Sequence, residues 1–149
     1  MFYAKPNKLI YLTKTNKQMK KIFTLCLLAF IGTTTLNAQS WQNTGTAGFS
    51  AGSAQNTFLA FNGSTPYVAY IDAGNFFKAT VKQFDGTNWV TVGAAGFSAG
   101  VATNTSLAFN GSTPYVAYQD GGNSRKATVM QFDGSNWVTV GAAGFSAGR

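Results

Sequence analysis

The amino-acid sequence predicts an all-β protein built from repeated four-stranded antiparallel sheets. Trp41, Trp89 and Trp137 are spaced 48 residues apart, and residues 41–88 and 89–136 differ at only 13 positions. A fixed period of this kind marks a repeated structural unit. Turn-forming residues recur about every eight to twelve positions, and beyond the N-terminal segment no long window places apolar residues at helical spacing. Both patterns are typical of short strands joined by tight turns.

The first half of each repeat predicts a β-hairpin, as the second copy illustrates. Residues 105–109 form a short strand-like run, and the Asn110-Gly111 dipeptide that follows is the one that best fits a tight hairpin turn. Pro114 then precedes residues 115–118, which are rich in aromatic and β-branched side chains. The repeat therefore begins with two antiparallel strands.

The second half of the repeat predicts two further strands. Residues 120–123 (Asp-Gly-Gly-Asn) are a turn cluster, and residues 126–132 (KATVMQF) have the composition of a third strand. A second turn cluster at 133–136 (Asp-Gly-Ser-Asn) separates it from a fourth strand at 137–140 (Trp-Val-Thr-Val). Four strands thus fit one period.

The period and the motifs together favour blades of a β-propeller. A four-stranded meander repeated about every 40 to 50 residues is typical of WD40 and kelch blades. The pattern N-x-S-L-A-F-N-G-S-T-P-Y-V-A-Y-x-D, followed by K-A-T-V-x-x-F-D-G-x-N-W-V-x-V-G, resembles the kelch-like repeats of secreted bacterial β-propeller proteins across residues 41–149. Residues 132–137 also resemble a loose Asp-box, the hairpin between outer strands of sialidase-type blades, although the leading Ser and the Thr before Trp are missing.

Two blades and the start of a third make an incomplete propeller, because closed propellers have about four to eight blades. We therefore expect further blades, either from a longer chain that is truncated at Arg149 or from oligomerisation. The first copy has Gln42 and Thr44 where the second has Val90 and Val92. If those valines face a neighbouring blade, the polar replacements suit an outermost strand at the N-terminal end.

The N-terminal segment has the three-part layout of a secretory signal peptide. Residues 19–21 (Met-Lys-Lys) are basic, residues 22–32 are apolar, and residues 36–38 (Leu-Asn-Ala) precede a cleavage site ahead of Gln39. A membrane-spanning helix needs roughly 20 apolar residues. We expect export to the bacterial cell surface or beyond, with no membrane association after cleavage.

The chain is accordingly divided into a leader with its signal peptide and a repeat region. The boundaries are 1–38 for the leader and signal peptide, 39–149 for the repeats, 41–88 for repeat 1, 89–136 for repeat 2 and 137–149 for a partial repeat 3.

The basic charge of the chain belongs to the leader. The formal net charge is +7, but six of the eleven Lys and Arg residues precede Gln39, and the remaining five stand against four Asp. The repeat region therefore has a net charge of +1, which argues against a nucleic-acid partner. The single cysteine, Cys26, lies in the apolar run of the signal peptide, so disulfides are not expected in the repeats.

A recurring G-x-S-x-G motif resembles the nucleophile elbow of α/β-hydrolases. It occurs at 48–52, 96–100 and 144–148. The elbow needs a histidine to accept the serine proton and a helix after the turn, and the chain has no histidine. We expect a loop between blades instead, with Phe49, Phe97 and Phe145 filling apolar space.

The acidic residues do not predict catalysis or metal binding either. The repeats have four aspartates and no glutamate, and each aspartate lies in a Gly/Asn turn where its side chain accepts backbone N–H groups. Calcium takes several carboxylate and amide oxygens, and one carboxylate per loop makes a poor site. We expect no enzyme activity, no cofactor and no metal.

The candidate binding residues are aromatic and acidic side chains that recur in both copies. They are Tyr67, Tyr115, Asp72, Asp120, Trp89 and Trp137. Such aromatics dominate recognition surfaces, but they also fill the space between blades. Ile71, on the same strand face as Tyr67, becomes Gln119 in the second copy. That face tolerates polarity, so Tyr67 and Tyr115 are expected to be the more exposed tyrosines.

These observations predict a non-catalytic, extracellular or cell-surface binding scaffold with a glycan or protein ligand. One alternative is that the blades form the non-catalytic part of a secreted glycoside hydrolase, a sialidase-like propeller, as the Asp-box resemblance implies. A purely structural repeat array is the other alternative.

Overall fold

The computed structural model describes residues 40–147. The predicted leader and signal peptide at 1–38, the cleavage site ahead of Gln39 and the last residue, Arg149, lie outside that range. The chain divides into two compact units, Met1–Trp41 and Gln42–Arg149. The fold described below is that of the second unit.

Two four-stranded antiparallel sheets make up this unit, so the predicted all-β fold is confirmed. The first sheet contains β1 (Ala54–Asn62), β2 (Thr65–Asp72), β3 (Lys78–Phe84) and β4 (Trp89–Thr91). The second contains β5 (Ala102–Asn110), β6 (Thr113–Asp120), β7 (Lys126–Phe132) and β8 (Trp137–Thr139). In each sheet the strands lie side by side in chain order, as a meander.

The helical content of residues 40–147 is limited to two short 3₁₀ turns, Ala73–Asn75 and Gly121–Asn123. Asp72 and Asp120 cap these turns at their N-terminal ends. In the same range of residues no helix has the length and apolar character needed to cross a membrane.

The predicted hairpin turn is present, with a different central pair. Asn110 pairs with Thr113, so the two loop residues are Gly111 and Ser112. Gly111 has a φ of 58°, and Ser112 keeps a negative φ. One positive φ at the first loop residue suits a type II′ turn, which places glycine first, rather than the Asn-Gly type I′ turn.

The core lies between the facing surfaces of the two sheets. We call these surfaces the inner faces, and the surfaces that point away from the other sheet the outer faces. The first sheet contributes Ala60, Tyr67, Ala69, Ile71, Ala79 and Val81, and the second contributes Leu107, Phe109, Val116, Tyr118, Met130 and Trp137. The bulge residue Asn56 adds a polar link, because its carbonyl oxygen accepts from Thr105 Oγ1 at 2.5 Å.

The segment between β4 and β5 both connects the sheets and completes the first one. Val92 N donates to Val81 O at 2.9 Å, and Phe97 N donates to Ala79 O at 2.9 Å, along the edge of β3. The partial third copy repeats this arrangement on β7, where Phe145 N donates to the carbonyl oxygen of residue 127 at 3.0 Å. Residues 140–146 therefore finish the second sheet.

Two sequence differences between the copies are explained by whether the residue lies on an inner or an outer face. Ile71 is buried in the core, whereas its counterpart Gln119 lies on the outer face of the second sheet, where it accepts from Thr103 Oγ1 at 2.7 Å. Met130 is likewise in the core, whereas its counterpart Lys82 lies on the outer face of the first sheet. Water contact on the outer faces explains the polar member of each pair.

Val90 and Val92, which were expected to face a neighbouring sheet, differ in burial. Val92 is only 7% exposed and belongs to the core. Val90 lies opposite Gln83, which is itself opposite Tyr67, so it points to the inner face of the first sheet. It is nevertheless 36% exposed, and burial by the second sheet is therefore seen for Val92 alone of these two.

Candidate functional site

Two of the three serines of the G-x-S-x-G motif hold the loop on the sheet. The Ser98 hydroxyl is buried, accepts from Ala79 N at 3.1 Å and donates to Gly100 O at 2.7 Å. Ser146 accepts in the same way from Ala127 N at 3.0 Å. Ser98, with both bonds, therefore acts as a structural clamp between the loop and the strand β3.

Asp72 and Asp120 are buried and their carboxylates are saturated with local donors. Asp120 Oδ1 accepts from Gly122 N at 2.9 Å, and its Oδ2 accepts from Asn123 Nδ2 at 2.8 Å and Thr128 Oγ1 at 3.1 Å. Asp72 makes the corresponding bonds to the 3₁₀ turn of the first copy. Both candidates therefore organise the turn between the second and third strands and are 1% exposed.

Trp89 and Trp137 link each sheet to the segment that precedes it. Trp137 is buried, and its Nε1–H donates to Val92 O at 2.8 Å. Trp89 is half-buried, and its Nε1–H donates to Thr44 O at 2.8 Å. Each indole also stacks on the phenylalanine of the preceding loop, so these candidates act in packing between copies.

Two of the four repeat tyrosines are inaccessible. Tyr70 and Tyr118 are almost completely buried. Burial, with a smaller contribution from the charge of Asp72, raises the pKa of the Tyr70 phenol to about 12. Burial, with a smaller contribution from the charge of Asp120, also raises the pKa of the Tyr118 phenol. Among the described residues the Tyr70 hydroxyl is the buried side-chain polar atom without a hydrogen-bond partner.

Tyr67 and Tyr115 are half-buried and lie at an open groove of about 630 Å³. The groove runs across the ends of both sheets, where the β5–β6 and β7–β8 turns come together. Its lining comprises Tyr67, Gln83 and Val92 from the first sheet and its following segment, with Ser112, Thr113, Pro114, Tyr115, Gln131, Phe132, Asp133 and Gly134 from the second. We call it the junction groove.

A second groove, of about 500 Å³, occupies the equivalent position in the first copy. Its lining is Ser64, Thr65, Pro66, Tyr67, Gln83, Phe84, Asp85 and Gly86. Each of these residues is identical to the one 48 positions later, and all eight of those later residues line the junction groove. We call this the first-copy groove. The same site is therefore built twice by the same residues.

The strand pairing brings the key side chains of each groove together. Tyr115 lies directly opposite Gln131 in the β6–β7 pair, and Tyr67 lies opposite Gln83 in the β2–β3 pair. Directly opposite residues in an antiparallel pair point to the same face. The Tyr67 ring also packs edge-on against Phe109, with ring centroids 4.8 Å apart, which fixes its position in the junction groove.

An exposed carboxylate stands at the rim of each groove. Asp133 Oδ1 accepts from Asn136 N at 2.7 Å and from Ser135 N at 2.9 Å. These backbone hydrogen bonds, with Asn136 first, lower the pKa of Asp133 below its ordinary value of 3.8. Asp85 is held in the same way by Asn88 and Thr87, and its pKa is lowered too. Both groups present an ionised acceptor at neutral pH.

The structure thus brings together two of the six candidate residues, Tyr67 and Tyr115. The other four are not among the described residues that line the two grooves. Gln83, Gln131 and the rim aspartates lie beside the tyrosines and were not predicted as binding residues from the sequence. The signal was available, because counting outward along the paired strands from the 73–77 and 121–125 turns places each glutamine opposite its tyrosine.

Within residues 40–147 no three His, Cys, Asp or Glu side chains converge on a point where they could hold a metal ion. The polar groups of the grooves are hydroxyl, amide and carboxylate, which suit hydrogen bonding to a neutral ligand.

Comparison with known proteins gives no relative from which a function could be transferred. No protein-family model matches the chain, and neither curated proteins nor solved structures show a match to it.

Proposed function

We propose that this chain is a non-catalytic scaffold of the bacterial cell surface or extracellular space, built from β-propeller-type blades, that binds neutral glycans through its repeated grooves. The four-stranded meanders, the 48-residue period and the resemblance to kelch-like repeats support the blade architecture. The signal-peptide pattern supports export. The ligand class follows from the chemistry of the grooves.

One observation carries the proposal: both copies keep the same eight residues at the same groove. The sequences Ser-Thr-Pro-Tyr and Gln-Phe-Asp-Gly are contributed by different strands and turns, and they meet only through the fold. The copies differ at 13 other positions, which include core positions. Packing in the core does not require the exposed Ser112 to match its counterpart Ser64.

The residue types in the groove suit a sugar. Tyrosine offers a flat apolar ring with a polar tip, which matches the mixed surface of a pyranose ring. The Gln131 amide can both donate hydrogen bonds to sugar hydroxyls and accept hydrogen bonds from them, whereas the Asp133 carboxylate can only accept. A pocket with a few convergent polar groups on an aromatic base is the usual form of a small-ligand site.

The charge of the groove selects among glycans. The described lining residues of both grooves include a carboxylate and lack Lys and Arg. An anionic sugar such as a uronic or sialic acid would meet repulsion from Asp133 without a compensating cation. Neutral oligosaccharides are therefore the expected ligands.

The test is calorimetric titration of the chain with a panel of neutral and acidic oligosaccharides. Gln131→Ala and Asp133→Asn, which alter exposed or half-exposed groove residues, should each weaken binding of a neutral glycan by about tenfold, the loss of one or two hydrogen bonds. Ser124→Ala, on the exposed turn after the second 3₁₀ turn, is the matched control and should bind as the unmodified chain does.

Three outcomes would contradict the proposal. The first is that no neutral glycan binds, which would leave a purely structural array. The second is that binding is indifferent to Gln131→Ala and Asp133→Asn. The third is release of shortened sugars during the titration, measured by chromatography of the ligand, which would indicate a hydrolase.

A further inference from the structure

The outer face of the first sheet exposes apolar side chains that the second copy buries. Leu59 is 56% exposed, whereas its counterpart Leu107 is 2% exposed. Phe61 is 58% exposed, whereas its counterpart Phe109 packs against Tyr67 of the first sheet. The outer face of the first sheet therefore carries the same apolar side chains that, on the inner face of the second sheet, pack against the first sheet.

This equivalence extends across most of the face. Counted by strand register, the inner face of the second sheet carries Leu107, Phe109, Val116, Tyr118 and Met130. The outer face of the first sheet carries Leu59, Phe61, Val68, Tyr70 and Lys82 at the same positions. Lys82 is the single change among these five, and its Nζ lies 3.5 Å from Trp89 O and 5.9 Å from the centre of the Phe49 ring.

The outer face of the second sheet presents the complementary surface. The inner face of the first sheet carries Ala60, Tyr67, Ala69, Ile71 and Val81. The outer face of the second sheet carries Ala108, Tyr115, Ala117, Gln119 and Val129 at the same positions. Gln119 is the single change among these five, and the same face also has Ser106 in place of Phe58, which is 40% exposed. The two outer faces of the unit Gln42–Arg149 thus resemble the two halves of the interface between its own sheets.

We propose that a second copy of this chain docks head to tail, with the outer face of its first sheet on the outer face of the second sheet of its neighbour. The contact repeats the internal packing of β1, β2 and β3 against β5, with one lysine and one glutamine replacing two core residues. It is heterologous, so it leaves a free half at each end and can extend to further copies. The two polar replacements make it weaker than the internal contact.

A competition for one strand edge regulates this docking. In the internal contact, Phe97 and Ser98 bind the edge of β3 while Phe97 stacks on Trp137. Phe49 already stacks on Trp89 of its own sheet with ring centroids 4.7 Å apart, so Ser50 is placed like Ser98. The corresponding edge of the neighbour, on β7, is occupied by residues 140–146 of that neighbour. A docking copy must displace them with its own residues 44–50.

The test is sedimentation velocity of the chain over about a hundredfold range of concentration, because association follows mass action. The mean mass should rise with concentration. Leu59→Arg should return the chain to monomer, since it places a charge in the contact while altering a side chain that is already more than half exposed. Phe76→Ser is the matched control: Phe76 is 82% exposed in the turn after Ala73–Asn75, away from both outer faces, and this variant should associate normally.

Two further pairs of variants separate this mechanism from non-specific aggregation. Lys82→Met and Gln119→Ile restore the core residues, and each should tighten association by about tenfold. Ser146→Ala weakens the resident segment and should promote association, whereas Ser50→Ala weakens the incoming one and should reduce it. Thermal unfolding of each variant checks that its fold is retained.

A chain that stays monomeric at every concentration overturns the proposal, and so does association that Leu59→Arg leaves unchanged or Phe76→Ser abolishes. If Ser146→Ala and Ser50→Ala change association in the same direction and to the same extent, the proposed competition for the β7 edge is overturned. Because Tyr115 belongs both to this contact and to the junction groove, glycan binding is measured separately with dilute chain, at which association is minimal.

Discussion

The indole ring of Trp137 stacks on the ring of Phe97 with centroids 4.4 Å apart and an angle of 15° between their planes. The pair joins the two sheets. Phe97 lies in the segment that is hydrogen-bonded to the edge of the first sheet, and Trp137 is the first residue of β8 in the second sheet. Phe49 and Trp89 repeat the pair at 4.7 Å and 24°. Each tryptophan is therefore the point at which one copy is attached to the next.

Trp137→Phe should reduce the free energy of unfolding by about 2 to 4 kcal/mol. The change removes the Nε1–H donor, leaves the carbonyl of Val92 without its partner and opens a small cavity. Urea denaturation followed by circular dichroism measures the loss. Trp89→Phe is the matched control, and it should cost about half as much because Trp89 is only half-buried. Equal losses would contradict this account of the attachment.

Ser98→Ala should destabilise the fold by about 1 to 3 kcal/mol, because it leaves the buried Ala79 N–H without an acceptor. Ser50→Ala should have a smaller effect, since Ser50 lies at a more exposed site. Chemical denaturation compares the two. A fluorophosphonate probe, which labels activated serines, should label neither the unmodified chain nor the variants. Labelling that disappears in Ser98→Ala would show a nucleophile in place of a clamp.

Tyr70→Phe should stabilise the protein by about 1 kcal/mol, because it removes a buried hydroxyl that has no hydrogen-bond partner. Tyr118→Phe is the matched change in the second copy. It should be neutral or destabilising, because the Tyr118 hydroxyl donates to Met130 Sδ at 3.2 Å. Thermal unfolding of both variants gives the comparison, and stabilisation of both by the same amount would argue against the difference in partners.

Alkaline pH should unfold the protein through these same tyrosines. The folded pKa of Tyr70, about 12, lies above its ordinary value of 10.0. The unfolded chain therefore ionises this phenol before the folded chain does, so that the free energy of unfolding is unaffected below pH 10 and falls as the pH rises from 10 towards 12. Ultraviolet absorbance of the phenolate should show two tyrosines that ionise only as the fold is lost. Ionisation of every tyrosine before any change in circular dichroism would contradict the burial of Tyr70 and Tyr118.

Acid should weaken the two exposed aspartate turns. The folded pKa of Asp133 lies below 3.8, so its stabilising contribution is complete well above pH 3.8 and is lost as the pH falls through the folded value. Carbon NMR titration should place the midpoints of Asp85 and Asp133 below 3.8. Asp133→Asn should flatten the fall in stability at acid pH, and Asp85→Asn should do so equally because its turn has the same bonds. Midpoints at or above 3.8 would contradict these bonds.

Much of the fold could be predicted because its signals are local and occur twice. The strand at 126–132 was predicted with its observed bounds, and the turns at 120–123 and 133–136 contain aspartates that accept backbone N–H groups as expected. Less of the site was predictable. Asp120 was a candidate as an acidic side chain that recurs in both copies, but the 3₁₀ turn and Thr128 enclose it, and neither contact is visible in the spacing of the sequence.

The sequence by itself determined the strands, their turns and the 48-residue repeat, because alternation of side chains and the conformations of Gly and Asp act over a few residues. Only the tertiary structure decided which residues that are identical in the two copies differ in burial. Leu59 and Leu107 occupy the same position of the repeat, yet one is exposed and the other buried, since burial depends on whether another sheet lies against that face. It is the stacking of the two sheets that also brings Tyr67 and Tyr115 to one groove.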